Sequence, residues 1–180
     1  GAPHETSSTG AAYIFVRSGN TWNQVAKLQP GEVGSQDRFG QSVAILVVGS
    51  DVYAAASAPG QGNAAGSVYI FKKGANDNTF SQVGKMNPTD ISRSSHLGTS
   101  IDLGYYELDG YGYPTIVAGA YNDKASVVGG SEEGSVYVWH YYSNTWQQKA
   151  KLKASDKSSN DQFGRSVNIS GKRIIVGAPN

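Results

Sequence analysis

The chain has 180 residues, a net charge of +1, 16% charged residues and no cysteine. That length supports a domain-sized core, and the near-neutral charge speaks against a nucleic-acid partner, which ordinarily meets a basic face. The missing cysteines exclude disulfides, thiolate metal sites and cysteine nucleophiles. The longest apolar run, Val43–Val48, falls far short of the about 20 residues a helical span needs, so no membrane insertion is expected. No leader pattern is visible, and the chain opens on Gly1-Ala2-Pro3 rather than Met, which suggests a processed or cut N-terminus.

Taken in order, the chain repeats itself. Gly10-Ala-Ala-Tyr-Ile-Phe15 is followed by Thr21-Trp-Asn-Gln-Val-Ala-Lys-Leu28, then by Phe39-Gly-Gln-Ser-Val43 and Ser57-Ala-Pro59. The same series returns as Gly66-Ser-Val-Tyr-Ile-Phe71, Thr79-Phe-Ser-Gln-Val-Gly-Lys-Met86, Leu97-Gly-Thr-Ser-Ile101 and Gly119-Ala-Tyr121. It returns again as Gly134-Ser-Val-Tyr-Val-Trp139, Thr145-Trp-Gln-Gln-Lys-Ala-Lys-Leu152, Phe163-Gly-Arg-Ser-Val167 and Gly177-Ala-Pro179, and Gly1-Ala-Pro3 is a further copy of the last motif. The interval is 58 residues from Phe39 to Leu97 and 66 from Leu97 to Phe163. The longer second interval predicts two longer loops, at 104–114 and 121–134.

Each unit reads as four strands: A over Ser42–Val48, B over Val52–Ser57, C over Ser67–Phe71 and D over Phe80–Met86. In Ser135–Trp139, Val136 and Val138 share one face while Tyr137 and Trp139 share the other, the period of a strand with two distinct sides. Ile174–Val176 is apolar on both faces, which predicts a strand buried between stacked sheets. Gly49-Ser-Asp51 and Ser170-Gly-Lys172 have hairpin-turn chemistry, and no stretch has a helical period. Four antiparallel strands per unit predict an all-β propeller of stacked blades. The positions Trp22, Phe80 and Trp146 read as packing between blades, the other reading being an exposed aromatic platform.

Phe-Gly followed by Gly-Ala-Pro across a hairpin resembles the FG-GAP repeat of integrin-α-type and microbial extracellular propellers, best over Lys151–Pro179. The resemblance implies fold more strongly than function. It implies an extracellular or cell-surface protein, and it points to the A–B hairpin as a calcium loop, because a hard cation takes closely spaced oxygens. Only the second copy offers a candidate, with Glu107, Asp109, Tyr111 and Thr115 at ligand positions. The same stretch also reads as a plain Gly/Tyr-rich hairpin.

No catalytic constellation stands out. His4, His96 and His140 lack metal-ligand spacing, and Gly60–Gly66 lacks the lysine and helix of a phosphate cradle. A non-enzymatic recognition or adhesion module is therefore expected, binding a glycan or a protein. The alternatives are a structural assembly module and an accessory domain of a larger secreted protein. Binding is expected on the loops at 3–10, 60–66 and 121–134, beside 29–38, 87–96 and 153–162. Candidate residues there are His4, His96, Tyr121, Asn122, Asp123, Glu132 and Glu133. The copies divide the chain, one domain over 1–180, into units at 39–96 and 97–152 and a split blade made of 1–38 and 153–180. The split blade predicts either a homodimer closing a six-bladed ring or further blades in a longer chain.

Overall fold

Short alternating stretches punctuated by glycine fold here into twelve strands among the described residues. The computed structural model describes residues 1–108, 111–124 and 132–180. Strands β3 (Val43–Val48), β4 (Asp51–Ala58), β5 (Ser67–Lys73) and β6 (Ser81–Met86) form one four-stranded antiparallel meander. A second is built from β7 (Ile101–Leu108), β8 (Tyr111–Ala120), β9 (Ser135–Tyr142) and β10 (Thr145–Leu152). Two-stranded sheets flank them: β1 (Ala12–Ser18) with β2 (Thr21–Leu28), and β11 (Ser166–Ser170) with β12 (Arg173–Gly177). The expected strands are all present. The stretch at 104–114 is not an irregular loop, however. It lengthens β7 and β8, which stay paired from Ile101↔Ala118 out to Leu108↔Tyr111.

The sheets stack face on face, and three apolar layers lie between them. One layer joins Ala12, Ile14 and Leu28 to Ala54, Ala56, Tyr69 and Phe71. The next joins Val68, Ile70 and Met86 to Ile101, Leu103, Tyr137 and Trp139. The third joins Val117, Val136 and Val138 to Ile169, with Val167, Ile174 and Val176 against it. Val136 and Val138 thus face one neighbour while Tyr137 and Trp139 face the other. Ile174 and Val176 are covered, but Ile175 between them is 72% exposed; β12 meets a sheet on one side only. Phe80 and Trp146 pack between sheets, whereas Trp22 is 66% exposed.

A bulge recurs in each outer hairpin, between Ile14 and Phe15, Ile70 and Phe71, and Gln148 and Ala150. It leaves Val25, Val83 and Lys149 unpaired. The extra residue of a bulge is turned out of the ladder, which accounts for the exposure of Val25 and Val83. Glu5–Ser8 and Gln61–Ala64 are single helical turns with left-handed residues inside, Thr6 and Ser7 in one, Gly62 and Asn63 in the other.

The repeated tripeptides are tied to each other. The N–H of Gly40, Gly98 and Gly164 donates to the carbonyl of Ser57, Gly119 and Gly177, at 2.8, 2.8 and 3.1 Å. Each Phe-Gly start is thereby locked to the Gly-Ala-Pro end of the next strand. Gly98 holds φ +87, and a Cβ there would lie 2.5 Å from the Ser57 Cβ. Only glycine meets both demands without strain.

Candidate functional site

The loops at one end of the sheets form a bonded surface. The segment before each Phe-Gly position runs alongside the turn that precedes a tyrosine-bearing strand. His96 and Leu97 donate backbone N–H bonds to Ala64 and Ala65 at 2.9 and 2.8 Å. Arg38 and Phe39 donate to Ser8 and Thr9, both at 2.9 Å, and Asn160 donates to Glu132 at 2.8 Å. Arg38, His96 and Gln162 occupy the same place in the three copies, and all have left-handed backbones, at φ +58, +55 and +57. Three non-glycine residues in that region at equivalent positions mark a conformation that the surrounding bonds over-determine.

Beneath this surface a charged triad recurs. In the set built on Tyr137 and Lys151, Asp123 is 1% exposed. Its carboxylate accepts bonds from Ser92 Oγ (3.2 Å), Ser95 Oγ (3.1 Å) and Tyr137 Oη (3.1 Å), and pairs with Lys151 at 2.8 Å. Burial alone would raise the Asp123 pKa; the hydrogen bond and charge of Lys151, with the Ser92 backbone N–H, outweigh it and hold the carboxyl below its usual value. Burial, with Asp123 and Asp90 close by, drives the Tyr137 phenol far above its usual value. The Tyr13/Lys27 set carries the same pattern, and the Tyr69/Lys85 set a looser form of it. Tyr13 donates to Glu5, which also pairs with Lys27. Tyr69 donates to Gln61 at 2.7 Å, and Lys85 turns to Glu32 at 3.4 Å. In all three the lysine ammonium sits over the tyrosine ring, 5.6, 5.2 and 4.9 Å from its centre. The sequence signal was a tyrosine and a lysine at fixed places in every copy, Tyr13/69/137 and Lys27/85/151; what it did not show was that they meet.

Asp123 therefore fastens the loop at 87–96 to the turn after β8, and its oxygens are turned inward. Glu133 is likewise largely covered and paired with Lys157 at 2.8 Å and Lys153 at 3.5 Å. Asn122 donates its backbone N–H to Ser95, and Glu132 pairs with Lys124 at 3.6 Å. His4 bonds only with Ser8, 3.3 Å away and exposed.

Tyr121 and His96 do come together. Their rings stack 5.4 Å apart and 10° from parallel. Arg165, which the sequence reading passed over, places its guanidinium 4.7 Å from the centre of the Tyr121 ring. Burial lowers the His96 pKa; the Pro59 carbonyl opposes that shift, while Arg38 and Arg165 add to it. That shift disfavours the charged imidazole and leaves positive charge to the arginine guanidiniums. His96 stacked on the Tyr121 ring with the Arg165 guanidinium over the same ring makes a cluster of two rings and a cation at the loop surface.

The calcium reading fares differently. Glu107 lies opposite Gly112 in the ladder, so it is on the other face of the hairpin from Tyr111 and Thr115. Thr115 is buried and gives its hydroxyl to the Tyr113 carbonyl at 3.1 Å. These three do not converge. Asp109 and residues 125–131 lie outside the described residues. Among the described residues no three acidic or histidine side chains gather as for a metal, and no helix is long and apolar enough to cross a membrane.

No curated protein matches the chain. The FG-GAP repeat family matches at residues 22–71 and 146–180. The intervening 72–145 holds the copy in which Leu97 stands for Phe, Tyr121 for Pro, and the hairpin is lengthened. The Phe-Gly and Gly-Ala-Pro elements that bond to each other in the structure are those that name this family, and the chain carries FG-GAP repeats over the matched residues.

Proposed function

We propose that this chain is a non-catalytic recognition module of an extracellular propeller, and that it takes a carboxylate-bearing glycan on the loop face around Tyr121. The observation that carries the reading is the stack of His96 on Tyr121 with Arg165 against the same ring. FG-GAP repeats are typical of extracellular adhesion and recognition propellers, and a sugar offers the C–H faces and acid groups that suit an aromatic plane edged by arginine. The loops are held by backbone bonds before any ligand arrives, which lowers the ordering cost of binding.

The remaining copies of the Tyr121 position are Pro3, Pro59 and Pro179. Tyr121→Pro therefore restores the residue the repeat ordinarily has there and removes the ring. An array of neutral and acidic glycans probed with wild type, Tyr121→Pro and Arg165→Ala tests the reading. Binding to uronate- or sialate-bearing glycans, lost in both variants while their folded spectra are kept, supports it. Equal binding by all three proteins, or capture of no glycan by wild type, overturns it. The second outcome favours a purely structural module, a reading supported by the regular stacking of the sheets.

A further inference from the structure

Two neighbouring loop junctions hold the same kind of link with its halves exchanged. Aligned on the Phe-Gly position, Gly34–Asp37, Ser92–Ser95 and Ser158–Asp161 are one turn in three places. Their backbones agree: Gln36, Ser94 and Asn160 hold φ +67, +61 and +69. In two of the turns the fourth residue closes the turn with its own carboxylate. Asp37 Oδ2 accepts the Gly34 N–H at 2.8 Å, and Asp161 Oδ2 accepts that of Ser158. Such a bond satisfies a backbone donor that the turn itself leaves free. Ser95 has no carboxylate to offer. Its hydroxyl lies 2.7 Å from the Ser92 carbonyl and 3.1 Å from Asp123 Oδ1. That same Asp123 oxygen reaches the Ser92 N–H at 3.4 Å and the Ser92 hydroxyl at 3.2 Å. The oxygen this turn lacks is thus supplied from outside, by the turn after β8.

The residues that face each other across the junction change in step. Asp123 follows Ala120 by three residues, as Gln61 follows Ala58. Gln61 donates its amide to Asp37 Oδ2 at 3.3 Å; there the loop carries the acid and the turn carries the donor. At Ser95 and Asp123 the loop carries the donor and the turn carries the acid. The frame around the two links is the same, since Gly60 donates its N–H to Asp37 at 3.1 Å and Asn122 donates to Ser95 at 3.3 Å. What the carboxylate holds is different. Asp37 closes its own loop and meets the neighbouring turn through one long bond. Asp123 closes the loop only by binding loop and turn together, and Tyr137 and Lys151 anchor it from the strands below. His96 follows Ser95 directly, and Tyr121 stands two residues before Asp123. The ring pair therefore spans the junction that this carboxylate bridges. At the junction of Asp37 and Gln61 the matching residues are Arg38 and Pro59, which form no aromatic pair.

We infer that Asp123 is the positioning residue of the Tyr121 site: by standing in for the missing loop carboxylate it sets His96 and Tyr121 at their stacking distance. The inference takes its functional meaning from the recognition reading, but the ring geometry it concerns exists without a ligand. Sites weaken when their support is loose by about 1 Å, and one group that bonds to both halves of a junction removes that looseness from each.

With three histidines in the chain, the His96 ring protons are readable by NMR, assigned with His96→Gln. The Tyr121 ring, stacked 5.4 Å away, displaces them upfield, and Tyr121→Pro gives their position without it. Asp123→Ala is expected to lose about half or more of this Tyr121-dependent displacement; if that variant does not fold, Asp123→Asn takes its place in the same measurement. A folded variant that keeps the full displacement overturns the positioning role. The exchange is tested with Ser95→Asp, Asp123→Gln and the two combined. Ser95→Asp sets two carboxylates against each other, Asp123→Gln leaves none, and the combination recreates the pairing of Asp37 with Gln61. Its urea midpoint is expected to lie above those of both single variants; a midpoint at or below either one overturns the exchange. The two readings fail separately. Wild type that binds no glycan, yet shows the displacement and its loss, removes the recognition reading and keeps this one; glycan binding with the displacement intact in the Asp123 variant does the reverse.

Discussion

Removing the Asp123 carboxylate is the sharpest test of how the loop face is held. The group is buried and accepts bonds from Ser92, Ser95 and Tyr137 while pairing with Lys151. Breaking a buried ion pair from one side costs about 3–5 kcal/mol when the other charge is stranded. Lys151 is not wholly stranded, since its side chain keeps 21% exposure and reaches Asp90 at 3.4 Å. The expected loss for Asp123→Ala is therefore nearer about 2–3 kcal/mol. With a urea m-value of about 2 kcal/mol/M, the unfolding midpoint falls by about 1–1.5 M. Asp123→Asn keeps an acceptor for the serines but turns an amide toward Lys151, so a smaller loss of about 1–2 kcal/mol is expected. The depressed pKa fixes the direction with pH. A carboxyl bound less tightly to its proton when folded contributes stability above its unfolded pKa, near 4, and loses it as the pH falls through the lower folded value. Wild type should thus lose more stability than Asp123→Asn below about pH 4. Half-buried Glu5 holds the same repeat position with 29% of its side chain exposed, and Glu5→Gln is expected to lower the midpoint by much less than Asp123→Ala. If Asp123→Ala shifts stability by less than about 0.5 kcal/mol, the network is not what fastens the loops.

Other substitutions probe the repeat itself. Gly98→Ala meets both a left-handed backbone and the Ser57 side chain, so its loss should exceed about 1–2 kcal/mol by thermal or urea unfolding. Leu97 is fully buried between two sheets; Leu97→Ala should cost about 2–5 kcal/mol, and Leu97→Phe, the residue of the other copies, should cost much less. His96, with its pKa lowered mainly by burial, contributes stability above its unfolded pKa near 6.5 that is lost on acidification; His96→Gln should flatten the loss of stability as the pH falls below about 6.5. Because Glu107 and Thr115 lie on opposite faces of their hairpin, the calcium-induced change in melting temperature should be the same for Glu107→Gln as for wild type; a difference would make Glu107 a calcium ligand.

The strands were legible because their signals are local. Alternation in Ser135–Trp139, the turn at Ser170-Gly-Lys172 and the glycine before each tyrosine act within a few residues. The lengthened hairpin was misread as a loop because glycine and proline at 104, 112 and 114 read as breakers, yet Gly104 lies against the Ile169 side chain. That is a close approach between sheets, the use a strand glycine has when another element presses on it. Environment was less legible than type. Trp22 and Trp146 are the same residue in the same motif, and only the presence or absence of a neighbouring sheet makes one a packed knob and the other an exposed one. Arg165 was invisible for a related reason: it lies 44 residues beyond Tyr121 in the chain, and nothing in either segment points to the other.

Regularity and departure from it therefore carry different information. The tyrosine and lysine that recur in all three copies meet in all three, and they fasten turns to strands with a carboxylate or an amide as the third member. Where the third member is buried Asp123, Ser92 and Ser95 are drawn in as well, and the loop of 87–96 is set hard against the turn after β8. That same turn begins with Tyr121, the one place where the Gly-Ala-Pro element gives up its proline. A loop junction held by a buried carboxylate thus presents the one aromatic ring substituted into the motif. A binding residue gains most from a scaffold that has no freedom left to lose, and the second copy is the only one in which both conditions fall together.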